Sequence, residues 1–88
     1  MWKDTTTRGR GQENKPSDIW SLETSEIRIS VMTGHRDYPG LWVMSCYALG
    51  IDARQFGAKP EATPEQAQEL ALKVVRQKLN KMLQSLNF

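Results

Sequence analysis

The chain has little of what small enzymes and metalloproteins are usually built around. One cysteine and one histidine, Cys46 and His35, supply all the thiol and imidazole in 88 residues. A disulfide framework needs cysteines in pairs, and a tetrahedral zinc site needs four N, S or O ligands at close spacing. Neither is available. No stretch approaches the roughly 20 apolar residues that span a bilayer. Met1 to Pro16 has no apolar h-region and does not read as a secretory signal, while a lone thiol suits a reducing compartment. The expected location is therefore cytoplasmic, with no membrane partner. No glycine run follows a strand and opens a helix, which removes phosphate cradles of the P-loop and dinucleotide type. No cofactor is expected.

Charge of one sign is scarce as well. Twelve Lys+Arg stand against ten Asp+Glu, a formal net charge of +2. The excess lies at the two ends. Lys3, Arg8, Arg10 and Lys15 outnumber Asp4 and Glu13 in the first 16 residues, and Lys73, Arg76, Lys78 and Lys81 outnumber Glu61, Glu65 and Glu69 after residue 60. This permits a basic arm but falls short of the clustering of a committed nucleic-acid binder.

What is present fits one small α+β domain, which at this length buries roughly 60% of its unfolded surface. Residues 1–17 have one large apolar side chain beyond Met1, namely Trp2, too little to offset chain entropy. They read as a flexible N-terminal arm, with Trp2 the residue that has reason to dock on the body. The domain proper is expected over 18–88. Ile27-Arg28-Ile29-Ser30-Val31 alternates with period two and is rich in β-branched residues, giving a strand over 27–32. Residues 41–47, LWVMSCY, give another, and the intervening 33–40 is dense in turn formers. Residues 19–23 supply a third.

Pairing these as a three-stranded antiparallel meander tests the parity. With Met32 opposite Leu41, Val31 faces Trp42, Ile29 faces Met44 and Ile27 faces Cys46. A turn through Thr24-Ser25 sets Leu22 opposite Ile27 and Trp20 opposite Ile29. Directly opposed residues share a face, so one face becomes uniformly apolar. The other mixes Arg28, Ser30, Met32, Leu41, Val43, Ser45 and Tyr47. Residues 48–62 read as irregular, with room for a short strand near Ile51.

The closing helix is the plainest element. Thr63-Pro64-Glu65-Gln66 has an N-cap threonine, proline at the first helical position and glutamine at the third, which is a capping box. A stripe of Ala67, Leu70, Ala71, Val74, Val75, Leu79, Met82, Leu83 and Leu86 at three- and four-residue spacing predicts a helix over 64–86. At about 1.5 Å per residue it reaches roughly 34 Å, longer than the 17–23 Å of strands of five to seven residues at about 3.3 Å each. The apolar overhang of Met82, Leu83, Leu86 and Phe88 must fray, meet the long loop or meet another chain.

The chemistry-bearing residues do not assemble into a catalytic group. In the hairpin Cys46 lies roughly 15 Å from the turn that holds His35, too far for a nucleophile and base in hydrogen-bond contact. Cys46 on the apolar face acts as a small hydrophobe. No enzyme activity is expected. His35, Arg36, Asp37 and Tyr38 form a compact loop that is either a solvated turn or a recognition surface. Together with Val43 and Tyr47 on the mixed sheet face they make the candidate interaction surface. Arg8-Gly9-Arg10-Gly11 is similar to short Arg–Gly tracts, so Arg8, Arg10 and Arg28 are the candidate phosphate contacts of an alternative nucleic-acid reading, with Tyr47 or Trp2 stacking.

Met1-Trp2-Lys3-Asp4-Thr5-Thr6, the block LWVMSCYALGI over 41–51 and the helix EQAQELALKVVRQKLNKML together resemble small uncharacterised bacteriophage and prophage proteins. The likeness covers much of the chain and contains no functional motif. It implies a bacterial or phage-infected cell and no particular activity. The reading that follows is a small accessory protein acting as a protein-interaction module, with an unknown protein partner. A second copy is also a candidate partner, through the helix end or the sheet face.

Overall fold

The computed structural model describes residues 1–86. Five strands form one antiparallel sheet in sequence order, and one helix lies against it. The strands are β1 (Lys3–Asp4), β2 (Ile19–Glu23), β3 (Arg28–Met32), β4 (Val43–Cys46) and β5 (Ile51–Arg54). A short 3-10 helix, Tyr47–Leu49, joins β4 to β5, and α1 spans Pro64–Ser85. The meander and the helix follow the sequence reading. The edge strands β1 and β5 go beyond its three.

The first correction concerns the N-terminal segment, expected as a flexible arm. Lys3 and Asp4 pair with Ser21 and Trp20 of β2, and the Thr5 amide donates to the Ile19 carbonyl at 2.9 Å. The Thr6 hydroxyl accepts from the Asp18 and Ile19 amides at 2.9 and 3.1 Å. Trp2 packs against the apolar cluster. The segment is short of apolar residues, yet its threonines supply acceptors for backbone donors at the sheet edge, and those bonds tie it down.

The second correction is the register. Val31 stands opposite Met44, Met32 opposite Val43 and Ser30 opposite Ser45. On the other side Trp20 faces Val31 and Leu22 faces Ile29. Both pairings are displaced from the expected ones by two residues, and an even displacement leaves every side chain on its expected face. The cause is in the turns. The Thr24 hydroxyl accepts from the Glu26 and Ile27 amides, which puts the bend at Ser25-Glu26 rather than Thr24-Ser25. Between β3 and β4, two successive turns bond Tyr38 to His35 and Leu41 to Tyr38, so Leu41 and Trp42 belong to the connection.

Residues 48–62 prove partly regular. Gly50, in the left-handed region at φ 72°, accepts the chain from the 3-10 helix and starts β5. The β4–β5 ladder is irregular between Met44 and Cys46. Ala53 sits there at φ 47°, its amide donating to the Ser45 hydroxyl at 2.9 Å. β5 lies where the sequence left room for a short strand near Ile51, the one large apolar residue it contains.

The core holds Ile29, Val31, Trp42, Met44, Cys46 and Ile51 from the sheet side and Ala67, Ala71 and Val75 from α1. Trp20 and Trp42 lie with ring centroids 5.8 Å apart. The Trp42 indole N–H donates to the Ala62 carbonyl at 3.1 Å, fixing the chain just before the helix. The capping box is complete: the Thr63 hydroxyl accepts from the Gln66 amide, and the Gln66 side chain accepts from the Thr63 amide.

Candidate interaction surfaces

Three surfaces remain open. The first is the outer face of the sheet, opposite α1. Its centre is a row of hydroxyls: Thr5 meets Ser21 at 2.9 Å, Ser21 meets Ser30 at 2.9 Å, and Ser45 stands opposite Ser30 in register. Ser21 is buried, and its two neighbours satisfy it. A shallow depression of about 320 Å³ lies over this row, walled by Ile19, Met32, Arg28 and Tyr47. Tyr47 is 75% exposed. Val43, expected to share this surface, is fully buried at 0% exposure. The reason is its place on β4, an inner strand between β3 and β5 with Met32 directly beside it. The hydroxyl row escapes sequence reading because serine and threonine are common everywhere. Only the registers bring four of them together.

The second is the loop after β3. The Nδ1 atom of His35 accepts from the Asp37 amide at 3.1 Å, and the His35 and Tyr38 rings lie 5.5 Å apart. Both rings are half-buried, while Arg36 and Asp37 are exposed and 3.9 Å apart. The imidazole thus holds its own turn together. Cys46 is fully buried in the core, so the two residues belong to different environments. Among the described residues no group of three or more His, Cys, Asp or Glu is placed to hold a metal ion.

The third surface belongs to the helix. Its sheet-facing positions are buried only as far as Val75, and every residue from Arg76 to Leu86 is exposed. Leu83 and Leu86 are 68% and 69% exposed, with Leu79 and Met82 open beside them. At about 1.5 Å per residue, some 15 Å of regular helix projects past the sheet. Of the alternatives for this overhang, fraying does not apply up to Ser85. Phe88 lies outside the described residues. At the other end of α1, a groove of about 730 Å³ runs between the helix and residues 57–62. Ala62, Gln66 and Leu70 line it, and Glu61, Glu65, Glu69 and Lys59 carry its charge.

The three arginines of the nucleic-acid reading are differently employed. The Arg8 guanidinium donates twice to the Lys15 carbonyl, at 3.1 and 2.9 Å, and once to the Ser17 hydroxyl at 3.1 Å, so it closes its own loop. Asp4 belongs to the same clamp. A hydrogen bond from Ser17, then bonds from Thr6 and the Arg8 charge, lower its carboxyl to about 2. Arg10 is exposed. Arg28 is exposed on the sheet face and shares a shallow surface with Glu23 and Glu26, which dilutes its field.

Comparison with known protein families, with curated proteins and with solved structures finds no match for this chain. Among the described residues no helix is long and apolar enough to cross a membrane.

Proposed function

We propose that this chain is a small non-enzymatic protein-interaction module, and that the second half of α1 is the surface it offers to a partner. One observation carries this reading. Leu79, Met82, Leu83 and Leu86 form a contiguous apolar strip on a regular helix, and every described residue from Arg76 onward is exposed. Isolated exposed leucines are ordinary, but a contiguous strip on a rigid element is the mark of an interaction site. The helix-in-groove mode, with anchors at three- and four-residue spacing, is the form of recognition such a strip fits. A bacterial or phage setting accords with the sequence resemblance.

The nucleic-acid alternative has less behind it, since Arg8 is committed to its loop and Arg28 sits among acidic neighbours. Site-specific photo-crosslinking tests the reading. A photoreactive residue at Leu83, with exposed Gln55 as the control position, is expected to give discrete protein adducts from position 83 in a bacterial lysate. Equal adducts from both positions, adducts to nucleic acid, or none at all would sink it.

A further inference from the structure

We propose that the partner of the overhanging helix is a second copy of this chain, docked antiparallel so that the basic half of each α1 lies along the acidic half of the other. The inference rests on the interaction reading above and names its partner.

Charge along the helix is the first argument. Glu65 and Glu69 are the only acids of α1, and both lie near its start. After them every charge is positive: Lys73, Arg76, Lys78 and Lys81. Two copies that met side by side in parallel, or overlapped by their free ends alone, would bring cation against cation. Only an antiparallel overlap reaching past the middle of both helices sets opposite charges together. It also opposes the two helix dipoles.

The second argument is the seam. Glu69, Leu72, Arg76, Leu79, Leu83 and Leu86 follow one another at steps of three, four, three, four and three residues. That is the spacing of a coiled-coil stripe, which keeps all six on one side of the helix. The stripe lies beside the buried line of Ala67, Ala71 and Val75; Leu72 packs partly against the core, and the other five residues are exposed. Glu69 and Arg76 are both exposed and stand two turns apart. In a two-fold antiparallel pair centred between them, Glu69 faces the partner's Arg76 and Arg76 faces the partner's Glu69.

The third is the groove at the start of α1. In that arrangement the free end of each helix, bearing Leu79 and Leu83, runs back along the first turns of its neighbour past Glu65 and Glu69 at the rim of the groove. Glu61, Glu65 and Glu69 outnumber Lys59 at its rim, which suits a strip flanked by Arg76, Lys78 and Lys81. The contact is isologous: each copy gives one strip and receives one.

Sedimentation equilibrium of the full chain, with circular dichroism to confirm that each variant is folded, tests the proposal. The wild-type chain is expected to dimerise. Glu69→Lys and Arg76→Glu each place like charges together twice in the pair, and each is expected to weaken the dimer by about tenfold or more. An equimolar mixture of the two restores both opposite-charge pairs, so the mixed dimer should return to within about threefold of wild type. A chain that stays monomeric up to about 1 mM overturns the proposal. If Leu83 crosslinks still form to another protein, the interaction reading stands without self-association; if none form, both fail. Dimers indifferent to the single reversals, or reversals that the mixture does not rescue, refute the antiparallel helix contact.

Discussion

Trp42 offers the sharpest test of how this core is built. Its ring is buried in the core, lies tilted against Trp20, and donates through its indole N–H to the carbonyl of Ala62. Trp42→Ala removes a large ring from a core with few other large side chains, a change that typically costs about 3–5 kcal/mol. A domain of this length has roughly 4–13 kcal/mol in total at about 0.05–0.15 kcal/mol per residue. The alanine variant should therefore lose at least about a quarter of its stability, and all of it at the low end of that range. Trp42→Phe separates the two roles of the indole. It keeps most of the apolar ring and leaves the Ala62 carbonyl without its donor, at about 1–3 kcal/mol. Urea titrations followed by far-UV circular dichroism should rank the variants wild type, Phe, Ala, with the phenylalanine midpoint lower by about 1 M. Amide exchange adds a local readout, because the Ala62 amide itself bonds the Lys59 carbonyl in the segment that the indole holds. Its protection should fall in Trp42→Phe more than that of β3. An unchanged midpoint in Trp42→Ala would refute the core assignment, and an unchanged Ala62 amide in Trp42→Phe would refute the tie between sheet and helix start.

Three further outcomes follow from single features. Thr63→Ala dismantles the capping box at the start of α1 and should cost about 1 kcal/mol, read as a lower urea midpoint with unchanged slope; no change would mean the cap is dispensable. Ala53 occupies φ 47° in the β4–β5 irregularity. Because a left-handed alanine costs about 1–2 kcal/mol and an added glycine costs about 0.5–1 through the unfolded chain, Ala53→Gly should stabilise by up to about 1 kcal/mol. A lower melting temperature would contradict the strain. The Asp4 carboxyl is lowered from 3.8 to about 2 in the folded chain. A depressed folded value means the ionised form is favoured by folding, so its contribution is whole above pH 4 and drains away as pH falls from about 4 to about 2. The Thr6 amide, which donates to Asp4, should lose protection over that window in the wild type and be weakly protected at every pH in Asp4→Asn; loss centred above pH 5 would exclude Asp4 as the cause.

The legible parts of the fold were those written as long periodic signals. Ile29 and Val31 on β3, Trp42, Met44 and Cys46 around β4, and Ala67, Ala71 and Val75 on α1 are buried as their spacing required. Burial depends on parity, and parity survives a two-residue slip, which is why the core was readable while the register was not. The slip itself turned on side-chain hydroxyls and turn hydrogen bonds, such as Thr24 capping its own hairpin. β1 was invisible because a two-residue edge strand held by Thr5 and Thr6 carries no apolar pattern. Of the candidate surfaces, Tyr47 and the helix end could be foreseen from chain geometry. Val43 could not be separated from them without knowing that a fifth strand flanks it. The groove beside Glu65 and Glu69 needs the path of residues 57–62, which has no periodic signature.

Side-chain size along α1 argues in the same direction as its charge. A helix is about 10 Å across, whereas five strands at about 4.8 Å spacing are about twice as wide. One helix therefore cannot cover the face it lies on by itself. The chain solves this from the sheet side, spreading the large rings of Trp2, Trp20 and Trp42 and the long side chain of Met44 around the contact. The helix answers with Ala67, Ala71 and Val75, small residues that let it approach closely. Leu72 and Val74 pack at the edge of that contact, and the exposed large apolar residues of α1, Leu79, Met82, Leu83 and Leu86, come after it. If packing within one copy were the only demand on this helix, the bulky side chains would be wasted beyond Val75, and charged residues would serve solubility better there. The proposed contact with a second copy rests on that exposed second half of α1.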